Sequence, residues 1–496
     1  MALEDIRAER VQKLNALKAQ GIDAFPAGTA RTHVISDIRK KFAALSDAKK
    51  IVVAAGRVMA RREHGGSMFL DLFDGTGTIQ VYLKKDVLGD EYARAEAVLD
   101  IGDFIETEGA LFKTKKEEET IEVARWAMLA KSLLPLPEKW HGLQDTEERF
   151  RKRYLDLLMN EGVKERFIMR ARIITHIRNF HEKKGFVEVE TPMLHPIPGG
   201  TIAKPFVTHH NALDADLYLR VAPELYLKRL LVGGMERVFE IGTCFRNEGI
   251  DATHNPEFTM LESYAAYWDE EGMMAFVEDL FVSLAKDIGN KKGEIAADDK
   301  TIIFKKPFTR IAFKDVLARY AQVSEYDTET RDSLAVRARQ FGIDAGAHES
   351  KGKIADEIYK KICRPYLTQP TFVINHPLEL SPLSKRRDEN PDEVRRFQLI
   401  AGGMELTNAF AELNDPIDQR ERFVVQERER QGGDEEAMRL DEEFLEAMEY
   451  GMPPAAGLGI GIDRVAMLFT GVKNIREVVL FPTLRPSERI APKARC

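Results

Sequence analysis

The hydrophobic positions of this chain change period along its length. Over residues 3–20, Leu3, Ile6, Ala8, Val11, Leu14 and Leu17 recur at helical spacing. Arg7, Arg10, Lys13 and Lys18 fall on the opposite face and Gly21 supplies a stop, so the pattern predicts an amphipathic helix. From Ile51 to Lys131 the period drops to two, in the runs IVVAAGRVMARR, SMFLDLFD, GTIQVYL, DFIETEGALF and ETIEVARWAML. With turn residues at Gly65-Gly66 and Gly75-Thr76-Gly77, these five strands predict a small barrel such as an OB-fold. LLPLPEKWHGL, with Pro135 and Pro137, reads as a linker. From about Tyr154 onward, helices alternate irregularly with antiparallel-looking strands, which predicts a large α+β domain rather than a doubly wound parallel sheet. The expected boundaries are 1–50 for the N-terminal helix and extension, 51–133 for the barrel, 134–153 for the linker and 154–496 for the large domain.

A chain of 496 residues is too long for one ordinary core, in keeping with several domains. Its 44% hydrophobic and 31% charged residues describe an ordinary globular protein, and no apolar run reaches membrane-spanning length. MALEDIRAER resembles neither a signal nor a transit peptide. Cys244, Cys363 and Cys496 show no metal or redox spacing, so a reducing cytoplasm is expected. The net charge of −8 argues against nucleic acid until its distribution is considered. Residues 1–153 carry 26 basic against 25 acidic side chains, while the remainder carries 47 against 56. Basic clusters at Arg39-Lys40-Lys41, Arg61-Arg62, Lys113 with Lys115-Lys116, and Arg151-Lys152-Arg153 permit phosphate contact in the front third.

The candidate chemistry lies in the large domain. FRNEGIDATHNPEF, Phe245 to Phe258, places an arginine, two glutamates, a histidine and two asparagines between two strand-like runs. Such a hairpin can hold a nucleotide, or it is a solvated turn in which Arg246 pairs with Glu248. KKGFVEVETPML reads as a helix ending at Gly185 and a strand leading into Thr191-Pro192. In PELYLKRLLVGG, Pro223 suits the first position of a helix closed by Gly233, and Glu224 in the first turn complements the helix dipole. A period of two puts Phe258, Met260, Glu262 and Tyr264 on one strand face, and Asn408, Phe410 and Glu412 on another. An aromatic and a carboxylate from each strand suit a cation with an apolar stem, such as lysine, unless Glu412 merely faces water. GLGIGIDRVAMLFTG has glycine at every second position, which leaves one strand face bare and differs from the dinucleotide fingerprint. Arg464 then opens a helix, where a cation opposes the macrodipole by roughly 0.3–1 kcal/mol. A phosphate, Asp463 or a more distant acid would compensate.

Taken in order, these segments resemble the class II aminoacyl-tRNA synthetases, and among them the lysyl-tRNA synthetase family of bacterial and cytoplasmic type. The resemblance spans essentially the whole chain. KKGFVEVETPML is similar to motif 1, FRNEGIDATHNPEF to motif 2 and GLGIGIDRVAML to motif 3. It implies an antiparallel sheet flanked by helices, an N-terminal anticodon-binding OB-fold barrel, and a cytoplasmic homodimer. It also implies ATP-dependent ligation of L-lysine to tRNA(Lys) through a lysyl-adenylate, with release of AMP and pyrophosphate. Arg246 and Arg464 become the catalytic pair: the first on the α-phosphate and the amino-acid carboxylate, the second over adenine and the γ-phosphate. Glu248, His254 and Asn255 line the nucleotide site, and Phe258 stacks on adenine. Gly200 and Glu224 receive the α-amino group. Glu412 and Tyr264 receive the side-chain ammonium, with Glu262, Asn408 and Phe410 completing the pocket. In the barrel, Phe69, Gln80, Arg61 and Glu122 match anticodon-contacting positions.

The implied chemistry needs no protein nucleophile, which suits the lack of any Ser/His/Asp or Cys/His arrangement. One position departs from the family pattern. Acidic residues that hold ATP-bound Mg2+ are expected at both Gln398 and Glu405, and an amide at Gln398 brings no charge, which predicts weaker binding of at least one ion. Glu405 also has the wrong parity to share a face with Asn408, Phe410 and Glu412, so a bulge or twist is expected near Gly402-Gly403. An aspartate- or asparagine-specific relative is disfavoured, because Glu412 would repel an aspartate side chain. A non-catalytic RNA-binding paralogue, or an enzyme that modifies a protein with lysine, stands further off.

Overall fold

The computed structural model describes residues 2–137, 143–297, 300–346, 349–434 and 436–486. They form two compact units, Met1–Gln144 and Asp145–Cys496. The middle of the segment read as a linker, residues 138–142, lies outside the described residues, and short helices at Thr146–Arg151 and Arg153–Met159 follow it.

In the first unit, helix α1 (Leu3–Ala19) precedes strands β1 (Ile51–His64), β2 (Ser67–Phe73), β3 (Thr78–Lys84), β4 (Phe104–Lys113) and β5 (Glu119–Ala130). The strands close into a barrel in the order β1-β2-β3-β5-β4, as the period-two runs predict. Closure depends on the length of β1. Its first half pairs with β4 (Ile51 to Arg57) and its second half with β2 (Arg57 to His64). At the corner a Cβ on Gly56 would lie 2.7 Å from the Phe73 carbonyl oxygen, so only glycine lets the chains approach this closely. Alternate residues such as Val52, Val58, Leu70, Val81, Ile105 and Ile121 fill the interior. Leu14 and Leu17 of α1, with Ile35, Ile38 and Phe42, extend the same core.

The second unit is built on an eight-stranded sheet. Its strands are β6 (Val187–Glu188), β7 (Arg237–Phe245), β8 (Glu257–Ala266), β9 (Thr309–Ala312), β10 (Thr371–Pro377), β11 (Glu393–Ala401), β12 (Met404–Ala411) and β13 (Ala455–Gly461). They lie in the order β9-β10-β11-β12-β13-β8-β7-β6, antiparallel except at the two edges. Helices α2 (Val163–Lys183), α4 (Glu270–Leu284) and α5 (Ile462–Thr470) cover one face. There Phe239, Leu261, Phe397, Leu399, Ala409, Leu458 and Ile460 meet Ile177, Phe276, Val277, Phe281 and Val465 in one apolar core. Helix α3 (Glu224–Val232) packs Leu225, Leu227 and Leu231 toward the other face, beside Tyr264 and Phe410. That face also carries the row Gln398, Asn408, Gly459, Glu262 and Glu240, and the candidate site lies there.

One local expectation needs correction, and one is met. Pro223 is the N-cap rather than the first helical residue, so Glu224 opens α3. The bulge expected near Gly402-Gly403 is present: it follows these glycines, which form the β11–β12 turn with φ of +60° and +74°. Leu399 pairs with Thr407 but Ile400 with Glu405, so Leu406 is the extra residue. This one-residue slip returns Glu405 to the face that carries Gln398 and Asn408.

Candidate active site

Strand register brings the separated motifs together. Gln398, Asn408, Gly459, Glu262 and Glu240 form one cross-strand row, and Arg396, Phe410, Gly457, Tyr264 and Val238 the next. The glycine strand β13 thus separates the two strands that carry aromatics and carboxylates. A Cβ on Gly457 would stand 2.1 Å from Glu412 Oε1 and 2.5 Å from Tyr264 Cε1. Its bare face is therefore filled by these pocket side chains. At Gly459 the nearest atom would be 3.7 Å away, and the backbone stays approachable.

Glu224, Glu262 and Glu412 are all buried here, at 6%, 5% and 1% exposure. Tyr264 donates its hydroxyl proton to Glu262 Oε2 at 3.0 Å. Gly200 (φ +95°) caps the cluster, where a Cβ would come within 3.0 Å of Glu224 Cβ. Asn408 Oδ1 accepts from Arg396 Nε at 2.7 Å, while Arg396 Nη1 is held by the Leu380 carbonyl and Ser381 Oγ. Burial and the Glu224 carboxylate push Glu262 up to about 8. Burial also raises Glu224 and Glu412, against the pull of a cation that the motif reading did not single out. That cation is Lys228, one turn along α3, whose Nζ lies 2.6 Å from Glu224 Oε1 and 2.5 Å from Glu412 Oε2. Burial pulls the Lys228 ammonium down, and the two carboxylates more than reverse it, so it stays charged. Its signal in the sequence was the i, i+4 spacing from Glu224.

Beside this cluster lies an arginine-lined region. Arg246 stacks its guanidinium 5.0 Å from the Phe258 ring centre, and its Nε is buried without a hydrogen-bond partner among the described residues. No ion pair joins it to Glu248 among these residues; Glu248 is exposed on the hairpin loop. Arg464 donates to His254 Nε2 at 3.0 Å, and His254 Nδ1 lies 2.8 Å from Asp251 Oδ2. Asp463 is not the partner of Arg464, because its oxygens accept from Arg170 and from the Thr259 amide. Asn255 Nδ2 donates to the Glu257 carbonyl at 2.6 Å, and its buried Oδ1 has no hydrogen-bond partner among the described residues. Glu405 sits 3.9 Å from Arg464 and 3.8 Å from Arg364. Burial would raise its carboxyl, but these arginines and Arg396 hold it below the usual range. Gln398 is buried, with Oε1 accepting the Tyr359 hydroxyl at 3.0 Å.

On the barrel, Phe69, Tyr82 and Glu122 form one cross-strand row, and Gln80 lies in the next row of the same face. Phe69 stacks on Tyr82 at 4.6 Å, and Tyr82 meets Phe112 at 6.0 Å. Gln80 is held by Glu118 and Thr120. Arg61 does not join this face. It pairs in register with the interior Leu70 and donates to the Leu99 and Glu96 carbonyls, whereas Arg62 is the arginine opposite Phe69.

Residues 145–485 match the family described as tRNA synthetases class II (D, K and N), and residues 52–129 match the OB-fold nucleic acid binding domain. The chain belongs to this class II synthetase family, with an OB-fold barrel ahead of its catalytic domain. Among its relatives, the lysine–tRNA ligase of Syntrophomonas wolfei is 48% identical over 484 residues, 98% of each chain. That of Moorella thermoacetica is 47% identical over 98% of this chain and 99% of its own. That of Roseiflexus sp. is 48% identical over 98% and 100%.

Proposed function

We propose that the chain joins L-lysine to tRNA(Lys) at the expense of ATP, through a lysyl-adenylate, releasing AMP and pyrophosphate. The observation that carries this reading is the juxtaposition on one sheet face of three buried carboxylates with Phe410 and Tyr264, next to Arg246 and Arg464. The acids suit the two ammonium groups of lysine; the arginines suit its carboxylate and the triphosphate. An aspartate side chain would meet Glu412 and be repelled.

In this reading the lysine carboxylate attacks the α-phosphorus and pyrophosphate leaves in line. Arg246 holds the carboxylate and α-phosphate, and Arg464 steadies adenine and the departing phosphates. Phe258 and Asn255, whose Oδ1 has no partner among the described residues, bound the adenine site, while His254 fixes Arg464 and Glu248 borders it. The terminal adenosine hydroxyl of tRNA then attacks the adenylate carbonyl.

ATP-bound Mg2+ would offset charge on the phosphates. Among the described residues no group of three His, Cys, Asp or Glu forms a metal cage. The donors present, the Glu405 carboxylate and the Gln398 amide oxygen, fit an ion carried in by phosphates rather than one resident in the protein. The barrel face of Phe69, Tyr82, Gln80 and Glu122 is the proposed anticodon surface. A cytoplasmic homodimer completes the reading; no described helix is long and apolar enough to cross a membrane.

Amino-acid-dependent pyrophosphate exchange tests the assignment. Lysine should support exchange and aspartate and asparagine should not, and charging should require tRNA(Lys). Exchange driven by aspartate in preference to lysine would overturn it.

A further inference from the structure

We propose that Lys228 is a positioning and specificity-determining residue, a resident ammonium that stays between Glu224 and Glu412 while substrate is bound and aims the free oxygen of each at one ammonium group of lysine. The inference rests on the reading of lysine as substrate and goes beyond it, because it concerns how the pocket counts charge.

The geometry is specific. Lys228 Nζ contacts one oxygen of Glu224 and one of Glu412, which brings carboxylates from a helix and a distant strand within about 5 Å of each other. Without a cation between them, two such groups in a buried site cannot both ionise. Glu262 is the third acid; among the described residues its one hydrogen bond is from the Tyr264 hydroxyl. Arg396 is committed to Asn408, Leu380 and Ser381, and Arg246 lies against Phe258, so neither takes the place of Lys228. Three carboxylates therefore face one resident ammonium. The two ammonium groups of a lysine guest bring the cluster to neutrality, whereas an amino acid with a neutral side chain leaves one acid unpaired.

The resident ammonium is built in. Its side chain is fully buried in α3, and Nζ lies 5.4 Å from the Phe410 ring centre. Withdrawing it would leave a buried charge without a partner. The Lys228 ion pair falls on Glu412 Oε2; Oε1 has neither a cation nor a hydrogen-bond partner among the described residues, and occupies the slot that a Cβ at Gly457 would fill. That buried acceptor is the oxygen left for the guest.

The test combines a wild-type crystal structure with lysine bound and lysine-dependent pyrophosphate exchange by K228M and K228R across pH 6 to 9. The structure should keep Nζ against both carboxylates. K228M should raise the lysine KM about 30-fold or more, with a much smaller change in kcat and a pH profile moved to the alkaline side. K228R should recover part of the lysine affinity. A bound structure in which the guest ammonium has displaced Nζ would overturn the proposal, showing a pocket that occupies itself when empty. So would K228M with an unchanged lysine KM and pH profile but a lower Tm, which marks a merely structural side chain. If K228M does not fold, the bound structure decides alone. Wild type without lysine-dependent exchange would overturn the substrate reading itself, and the proposal with it.

Discussion

His254 Nε2 accepts a hydrogen bond from Arg464, and that contact fixes the state of the ring. A guanidinium has only donors, so Nε2 must carry a lone pair, and the ring proton sits on Nδ1, where Asp251 Oδ2 accepts it. The Asp251 carboxyl is raised by burial but lowered further by the Thr253 amide and by His254, to about 2. Asp251, His254 and Arg464 thus form a relay from a hairpin loop to the first turn of α5.

Loss of that relay should loosen Arg464 without removing its charge. His254→Ala is expected to raise the ATP KM about 3- to 10-fold, a modest figure because the pair is half exposed. Lysine KM should change little. Pyrophosphate exchange with each substrate varied in turn measures both, and an unaltered ATP KM would show that Arg464 holds its place unaided.

Lysine binding should depend on pH through Glu262. Its folded value of about 8 lies above the ordinary 4.5, so between these values the folded pocket holds a proton that the unfolded chain has lost. Stability from this group is accordingly lost as pH rises through that window. An ammonium guest favours the ionised acid, so binding expels the proton. The groups facing it are Glu224, Glu412, Lys228, Arg246 and the Tyr264 hydroxyl. Apparent lysine affinity should rise between pH 6 and 8 by up to about tenfold per unit and then level off. Calorimetry in buffers of different ionisation enthalpy should detect the released proton in wild type and not in Glu262→Gln.

The barrel prediction separates tRNA recognition from amino-acid activation. Phe69 and Tyr82 present a stacked pair on the proposed anticodon surface. Base stacking contributes about 1–3 kcal/mol per base, so Phe69→Ala or Tyr82→Ala should cut charging efficiency about 5- to 150-fold. Lysine-dependent pyrophosphate exchange without tRNA should be unchanged. A parallel loss in both assays would place the defect in folding.

Gln398 stands where the family resemblance implies an acid. Its amide oxygen already accepts from Tyr359, and it faces Asn408 across the sheet. Gln398→Glu would add a carboxylate near Glu405, Arg396 and Arg464, and about one order of magnitude in Mg2+ requirement corresponds to about 1.4 kcal/mol. The half-saturating Mg2+ concentration for exchange should fall in the variant. Superimposable titrations would mean that Gln398 does not face the ion.

Much of this architecture was readable from residue spacing. The barrel's five runs, the helix over residues 3–20 and the sharing of faces by Glu262, Tyr264, Asn408 and Phe410 follow from periodicity, although Arg10, expected on the polar face of that helix, is buried against the Ile101, Ser132 and Leu134 carbonyls. Relations between elements were not readable in this way. The burial of Lys228 between two acids needs α3 laid over the sheet, and a lysine four residues after a glutamate ordinarily reads as a solvated pair. Arg61 and Arg62 are adjacent, and only the bulge between Val58 and Ala60 decides which one reaches the aromatic face. The parity mismatch of Glu405 does foretell a bulge beside Gly402-Gly403, but only the strand register places the extra residue at Leu406.

The alternating glycines of β13 do different work, and alanine should expose the difference. At Gly457 the added methyl would overlap Glu412 Oε1 and the Tyr264 ring, neither of which has free space in a buried cluster. Gly457→Ala should therefore cost about 1–3 kcal/mol of stability and displace both side chains, raising the lysine KM. At Gly459 the added methyl would meet only the Asn408 carbonyl at 3.7 Å, with Glu262 Cγ and Met260 Sδ at 4.0 Å, all ordinary contacts. Gly459→Ala should keep its Tm within a degree or two of wild type, on the order of a few tenths of a kcal/mol, yet weaken substrate binding because the strand is no longer bare. Thermal denaturation paired with KM values for lysine and ATP distinguishes the two. Equal melting temperatures for Gly457→Ala and wild type would mean that Glu412 and Tyr264 can yield, and that the pocket is less tightly built around its acids than this register implies.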